Sequence, residues 1–131
     1  GYTVEEESTW GQLSFQVMFD QVLPEELARA AADGWGGDAY RIDWDGSEVA
    51  LALVYRGDTE ADAAEMAEAL ASYAPAAMAV GAGEPDDSGT SFRGDSYAFV
   101  SRAGDQVTLV AASDPARGEE LREALVPAAA P

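Results

Sequence analysis

Two stretches of this chain follow one plan. "GDAYRIDWDGSEVALALVYRGDTEADAAEMAEAL" starts at Gly37, and "GDSYAFVSRAGDQVTLVAASDPARGEELREAL" starts at Gly94. Each opens on Gly-Asp-x-Tyr, runs through a segment of strand length, turns on Gly and Asp, and runs back. Each then closes on a helical pattern ending Glu-Ala-Leu. A single β-β-α unit cannot bury its apolar face alone, so the two are expected to close on each other. The expected fold is α+β: a four-stranded antiparallel sheet from two β-β-α units, helices mainly on one face, and one or two additional N-terminal helices. The pseudo-repeats take residues 37–70 and 94–125 of a single domain over residues 9–126. A long loop at 75–93 joins them, with a disordered acidic lead at 1–8 and a tail at 127–131.

Local patterns fill in this plan. Tyr40, Ile42 and Trp44 alternate with Arg41 and Asp43, and Asp45-Gly46 is a strong hairpin signal. "EVALALVYR" is apolar on both faces, as an interior strand is. Thr59 suits a helix N-cap, with Glu60 and Asp62 in the first turn and Ala63, Met66, Ala67 and Leu70 at helical spacing; Pro75 is expected to end that helix. "QLSFQVMFDQVL" fits both a strand and a buried helix. The Thr9–Gln12 capping box decides for helix. Pro24 suits the start of a further helix and Gly34 its left-handed C-cap.

The core available to this fold is thin. Of the 47% apolar residues, 27 are alanine, leaving nine leucines, ten valines, one isoleucine, three methionines and twelve aromatics as bulk. No apolar run reaches the roughly 20 residues of a membrane-spanning helix. Twenty-five acids face seven arginines, for a net charge of -18. Such a field repels nucleic acid and anionic membrane and attracts cations or a basic partner. It also suits a salty habitat, where screening relieves self-repulsion. The start at Gly1 reads as the cut end of a longer precursor. Without cysteine, no disulfide framework marks a compartment.

The missing residue types shape the functional expectations. With no histidine, cysteine or lysine, the chain lacks Ser-His and Cys-His dyads, a thiolate nucleophile, a Schiff-base lysine and imidazole or thiolate zinc sites. The expectation drawn from this is a protein that is not an enzyme, with a carboxylate-dependent hydrolase as a distant alternative. No cofactor is expected, although calcium is possible because hard cations take oxygen ligands. Asp43, Asp45 and Glu48 in "DWDGSE" are the candidate ligands, followed by Glu84, Asp86 and Asp87. Trp35, Gly36, Gly37 and Asp38 are the candidate ligand-binding group, weighed against a purely structural bend. Arg-Gly-Asp at 56–58 and 93–95 reads as turn chemistry.

The run from Thr9 through "LARAAADGWGGDAY" to "GDTEADAAEMAEAL" resembles a module of uncharacterised bacterial secreted or membrane-anchored proteins. That module carries Ala-Ala-x-Gly-Trp-Gly-Gly-Asp and a later Trp-Asp-x-x-x-Asp-Ala helix start. Here Arg56-Gly57-Asp58 stands in place of the later tryptophan. The resemblance implies an extracellular or cell-envelope setting and supplies no reaction. The resulting expectation is an accessory interaction or scaffolding domain, meeting a protein partner or other domains of its own precursor.

Overall fold

Residues apolar on both faces mark the strands that must lie innermost, and β3 (Val49–Gly57) and β7 (Gln106–Ala112) are of that kind. They pair antiparallel at the centre of the sheet, with Leu53 opposite Leu109. The computed structural model describes residues 3–125. Outward from β3 come β2 (Trp35–Trp44) and β1 (Thr3–Ser8). Outward from β7 come β6 (Tyr97–Ala103), β5 (Gly89–Arg93) and β4 (Glu84–Asp86). Every neighbouring pair is antiparallel. The helices are α1 (Gln12–Asp20), α2 (Glu25–Asp33), α3 (Glu60–Ala77) and α4 (Pro115–Leu125).

The expected four-stranded sheet is therefore corrected to seven strands and four helices among the described residues. Residues 3–8, expected as a disordered lead, form β1; the expected loop at 75–93 supplies β4 and β5. Both regions supply an edge strand, β1 and β4, which has no need of apolar alternation. There, charge and proline are tolerated and block pairing with other chains. The expected two-residue turn at Asp45-Gly46 is also shifted. Trp44 pairs with Val49, and Asp45 N–H donates to the Glu48 carbonyl, which puts Gly46-Ser47 at the tip.

Helices cover both faces. Tyr55, Leu53, Val107, Leu109, Ala98 and Val100 face α1, α2 and α3. The alternating residues Ala50, Val110, Ala112, Tyr97 and Phe99 face α4 and its Leu121. A sheet apolar on both sides needs this second layer, which a one-sided arrangement would leave bare. The two Gly-Asp-x-Tyr stretches consequently differ. Tyr40 opposes Leu53 and points to the three-helix face, while Tyr97 opposes Ala112 and points to α4. The strand-strand-helix order recurs, but α3 and α4 go to opposite faces.

The three-helix layer is joined by alanine and aromatic contacts. Ala28 and Ala31 of α2 and Ala63, Ala69 and Ala74 of α3 are fully buried. Phe15 and Phe19 of α1 stack on one another, and Phe15 meets Tyr55 edge-on at 5.7 Å between centroids. α1 is a helix, as its capping box predicts, but the N-cap is Gly11. Pro75 lies inside α3, which runs on to Ala77; Thr59 caps it by accepting from Asp62 N–H.

α4 presents only Gly118 and Leu121 to the core, so charged contacts add to its anchorage. Arg117 Nη2 donates to Asp43 Oδ2 at 2.9 Å, and Arg41 Nε lies 3.0 Å from Oδ1 of the same carboxylate. Asp43 is only 3% exposed. At the other end of α4, Arg122 donates to Asp86 Oδ2 at 2.7 Å and to Ser91 Oγ, and its guanidinium stacks over the Phe99 ring.

Removing one partner of a buried pair strands the other charge, whereas replacing both by apolar groups does not. Asp43→Ala should cost about 3–5 kcal/mol in urea denaturation, while Asp43→Leu combined with Arg117→Met should recover most of that loss. A double variant no more stable than the single one would contradict this account.

Asp86 is held below the usual carboxylate range by hydrogen bonds from Ser88 and then by Arg122. A depressed native value stabilises the fold above the unfolded value of about 3.9 and is lost as pH falls toward the native one. In thermal melts Asp86→Asn should lower Tm at pH 7. The gap to wild type should hold down to about pH 4 and shrink below it; a gap independent of pH would contradict the assignment.

Candidate functional site

The Trp-Gly-Gly-Asp group lies where α2 turns into β2. Gly34 takes φ −87°, so it is not the left-handed cap its position predicts. It is required for space, because a Cβ there would lie 2.3 Å from the Asp62 side chain at the start of α3. Gly36 faces a similar wall, 3.0 Å from the Arg56 carbonyl, and Gly37 takes φ +151° in a bulge between Trp35 and Gly37.

Asp38 then gathers three donors. Its Oδ1 accepts from Trp10 N–H at 2.5 Å. Its Oδ2 accepts from Gly11 N–H at 2.9 Å and from the Trp35 indole at 2.7 Å. The Trp35 ring packs against the core. Trp35 and Asp38 thus fasten the start of α1 to β2, while Gly34 lets the turn into β2 pass close to α3.

The candidate cation ligands take separate partners. Asp43 is in the ion pair beneath α4, Asp45 accepts from Ser47 and Glu48 backbone N–H groups, and Glu48 accepts from the Ser113 hydroxyl at 2.6 Å. Asp86 caps the β4–β5 turn through Ser88 and Gly89 N–H groups and meets Arg122. No group of three or more carboxylates among the described residues is placed to hold a metal ion.

The feature that sequence reasoning missed is an apolar cavity of about 380 Å³ on the three-helix face. Its floor is the sheet, with Ile42, Leu51, Leu53, Leu109 and Ala111 side by side across β2, β3 and β7. Trp10, Phe15 and Met18 wall it on the α1 side, and Tyr73 and Met78 on the side where α3 ends. Ser96 and Ser113 supply polar atoms to its lining. Trp10 and Val49 are 38% and 41% exposed, so the space communicates with solvent.

Trp10 stands edge-on to Tyr40 at 5.6 Å between centroids. Burial raises the pKa of the Tyr40 hydroxyl, and the neighbouring Glu6 carboxylate adds to the rise, so it stays protonated across the neutral range. The signal for this cavity was present in the chain. Ile42 and Trp44 on β2 and Val49 and Leu51 on β3 lie on the face shared with Tyr40, toward the hairpin turn.

The expectation that the protein is not an enzyme does not stand. It rested on missing residue types, yet the structure engages arginines with carboxylates at Asp43–Arg117 and Asp86–Arg122. Guanidinium and carboxylate groups bind and polarise substrates, and carboxylates serve as acids and bases, without histidine, cysteine or lysine. Composition therefore does not decide whether the chain is catalytic.

Sheet, two helical layers and cavity together define an α+β domain with a preformed apolar recess. The family described as Domain of unknown function (DUF8575) matches residues 2–122, and the chain belongs to it. That match bears neither on the Gly-Trp-Gly-Gly-Asp stretch nor on secretion. No curated protein and no solved structure matches the chain. No helix of the described residues is long and apolar enough to cross a membrane.

The clamp can be tested without a ligand. Asp38→Ala removes the acceptor of three hydrogen bonds and should cost about 2 kcal/mol or more in urea denaturation. Hydrogen exchange should rise across residues 10–20 while β6 and β7 stay protected. Unchanged exchange at the start of α1 would show that Asp38 does not hold it.

Proposed function

We propose that this chain is a binding domain whose apolar cavity takes a small organic ligand, within a larger secreted or envelope-associated protein. The observation that carries the reading is the recess itself. It is preformed, lined almost wholly by apolar and aromatic side chains, and of the size that ligand sites have, roughly 300–1,000 Å³. The envelope setting comes from the sequence resemblance. The charge of -18 supports a domain that stays apart from nucleic acid and anionic membrane.

A neutral apolar dye such as Nile red tests the site. Binding should be saturable with one site per chain and should raise Tm. Ala111 sits on the cavity floor, so Ala111→Phe should put a ring into the space and weaken binding at least about tenfold, a loss of about 1.4 kcal/mol. Equal dye binding by wild type and a folded Ala111→Phe variant would refute this reading.

A further inference from the structure

Given that the cavity binds a ligand, which the preceding reading supplies, its lining also speaks to the ligand's charge. Five aromatic residues border the space, and Trp10, Phe15, Tyr40 and Tyr73 are the ones on the three-helix side. The faces of such rings carry negative potential and attract cations, most strongly tryptophan and tyrosine. No arginine lines the cavity. Arg41 and Arg117 are paired with Asp43 on the opposite face, Arg122 with Asp86, and Arg93 with Glu119.

The charges that do reach the cavity edge are negative. Glu6 stands opposite Ile42, a lining residue, on the neighbouring strand, and Glu48 accepts from the hydroxyl of Ser113, also in the lining. Beyond them stands the field of a chain with net charge -18. An anionic amphiphile would meet repulsion at this mouth with no guanidinium to receive it. A cation with an apolar body meets attraction at both scales.

We propose that the cavity selects an organic ammonium cation, its apolar portion on the sheet floor and its charged head among the rings of Trp10, Tyr40 and Tyr73. Aromatic recognition of quaternary ammonium groups is a known use of cation–π attraction. The desolvation cost is modest because an alkylated ammonium holds its water weakly compared with a primary amine.

Isothermal titration with octyltrimethylammonium, 1-octanol and octanoate separates the terms, with tetramethylammonium reporting attraction to the charged surface alone. The cation should bind at least about tenfold tighter than the alcohol, the range cation–π attraction supplies at desolvated sites, and octanoate and tetramethylammonium should bind far more weakly. Trp10→Leu keeps the wall apolar but removes its ring. It should cut the cation's affinity several-fold and leave that of octanol nearly unchanged. Ala111→Phe should abolish both, with circular dichroism melts confirming that each variant folds.

Equal binding of cation and alcohol would overturn the charge selectivity while leaving an apolar site. A cation preference that survives both substitutions would place it on the surface and also overturn the proposal. Failure of all four probes to bind wild type would remove the ligand site itself.

Discussion

The arrangement depends on one constraint: the two innermost strands are apolar on both sides. β3 and β7 carry Leu53, Tyr55, Val107 and Leu109 toward one face and Ala50, Val110 and Ala112 toward the other. Each face left in water would forfeit hydrophobic stabilisation of roughly 25 cal/mol per Å². Two helical layers follow from this, and so does the need for edge strands that carry no such pattern. β1 and β4 meet that need with acids and a proline.

A chain with 25 acids and seven arginines must fasten these layers with few cations. Two of the seven are on α4, which offers the sheet little besides Gly118 and Leu121. Arg117 reaches β2 and Arg122 reaches β4 and β5, so the helix is tied at both ends of the sheet's width. Elsewhere the acids find backbone donors. Asp38, Asp45 and Asp86 each accept at least two backbone N–H groups. Most of the remaining negative charge faces solvent, where it sets the protein's field without supporting its fold.

How much of this was legible depended on whether the signal was local. The hairpins β2–β3 and β6–β7, the Thr59 cap and the helical nature of α1 are written in spacing a few residues long, and the structure has them. The seven-stranded sheet is not written that way, because "TVEEES" becomes a strand only by pairing Glu7 with Arg41 and Ser8 with Tyr40, more than thirty residues on. Gly34 shows the same limit: a glycine after a helix suggests a left-handed cap, yet its reason is the Asp62 side chain arriving from α3. The opposite placement of α3 and α4 was legible in principle. Apolar residues on both faces of "EVALALVYR" already require cover on both faces, which a one-layer arrangement cannot give. Of the candidate site, the sequence singled out Trp35 to Asp38, which act as joinery. The cavity escaped because only its β2–β3 part is local in sequence, while the rest of its lining comes from α1, α3, β6 and β7.

The size of that cavity constrains its state. A sealed void costs about 24 cal/mol per Å³ beyond the transfer of the missing groups. For about 380 Å³ that would be roughly 9 kcal/mol, close to the whole stability of a domain, about 5–15 kcal/mol. A closed, empty space of this size is therefore not sustainable in a core built largely of alanine. The exposed edges of Trp10 and Val49 show the alternative: the space is open to solvent. An apolar body entering it would recover burial the chain has left incomplete, and the aromatic rings and acids around the opening would favour a positive charge on it.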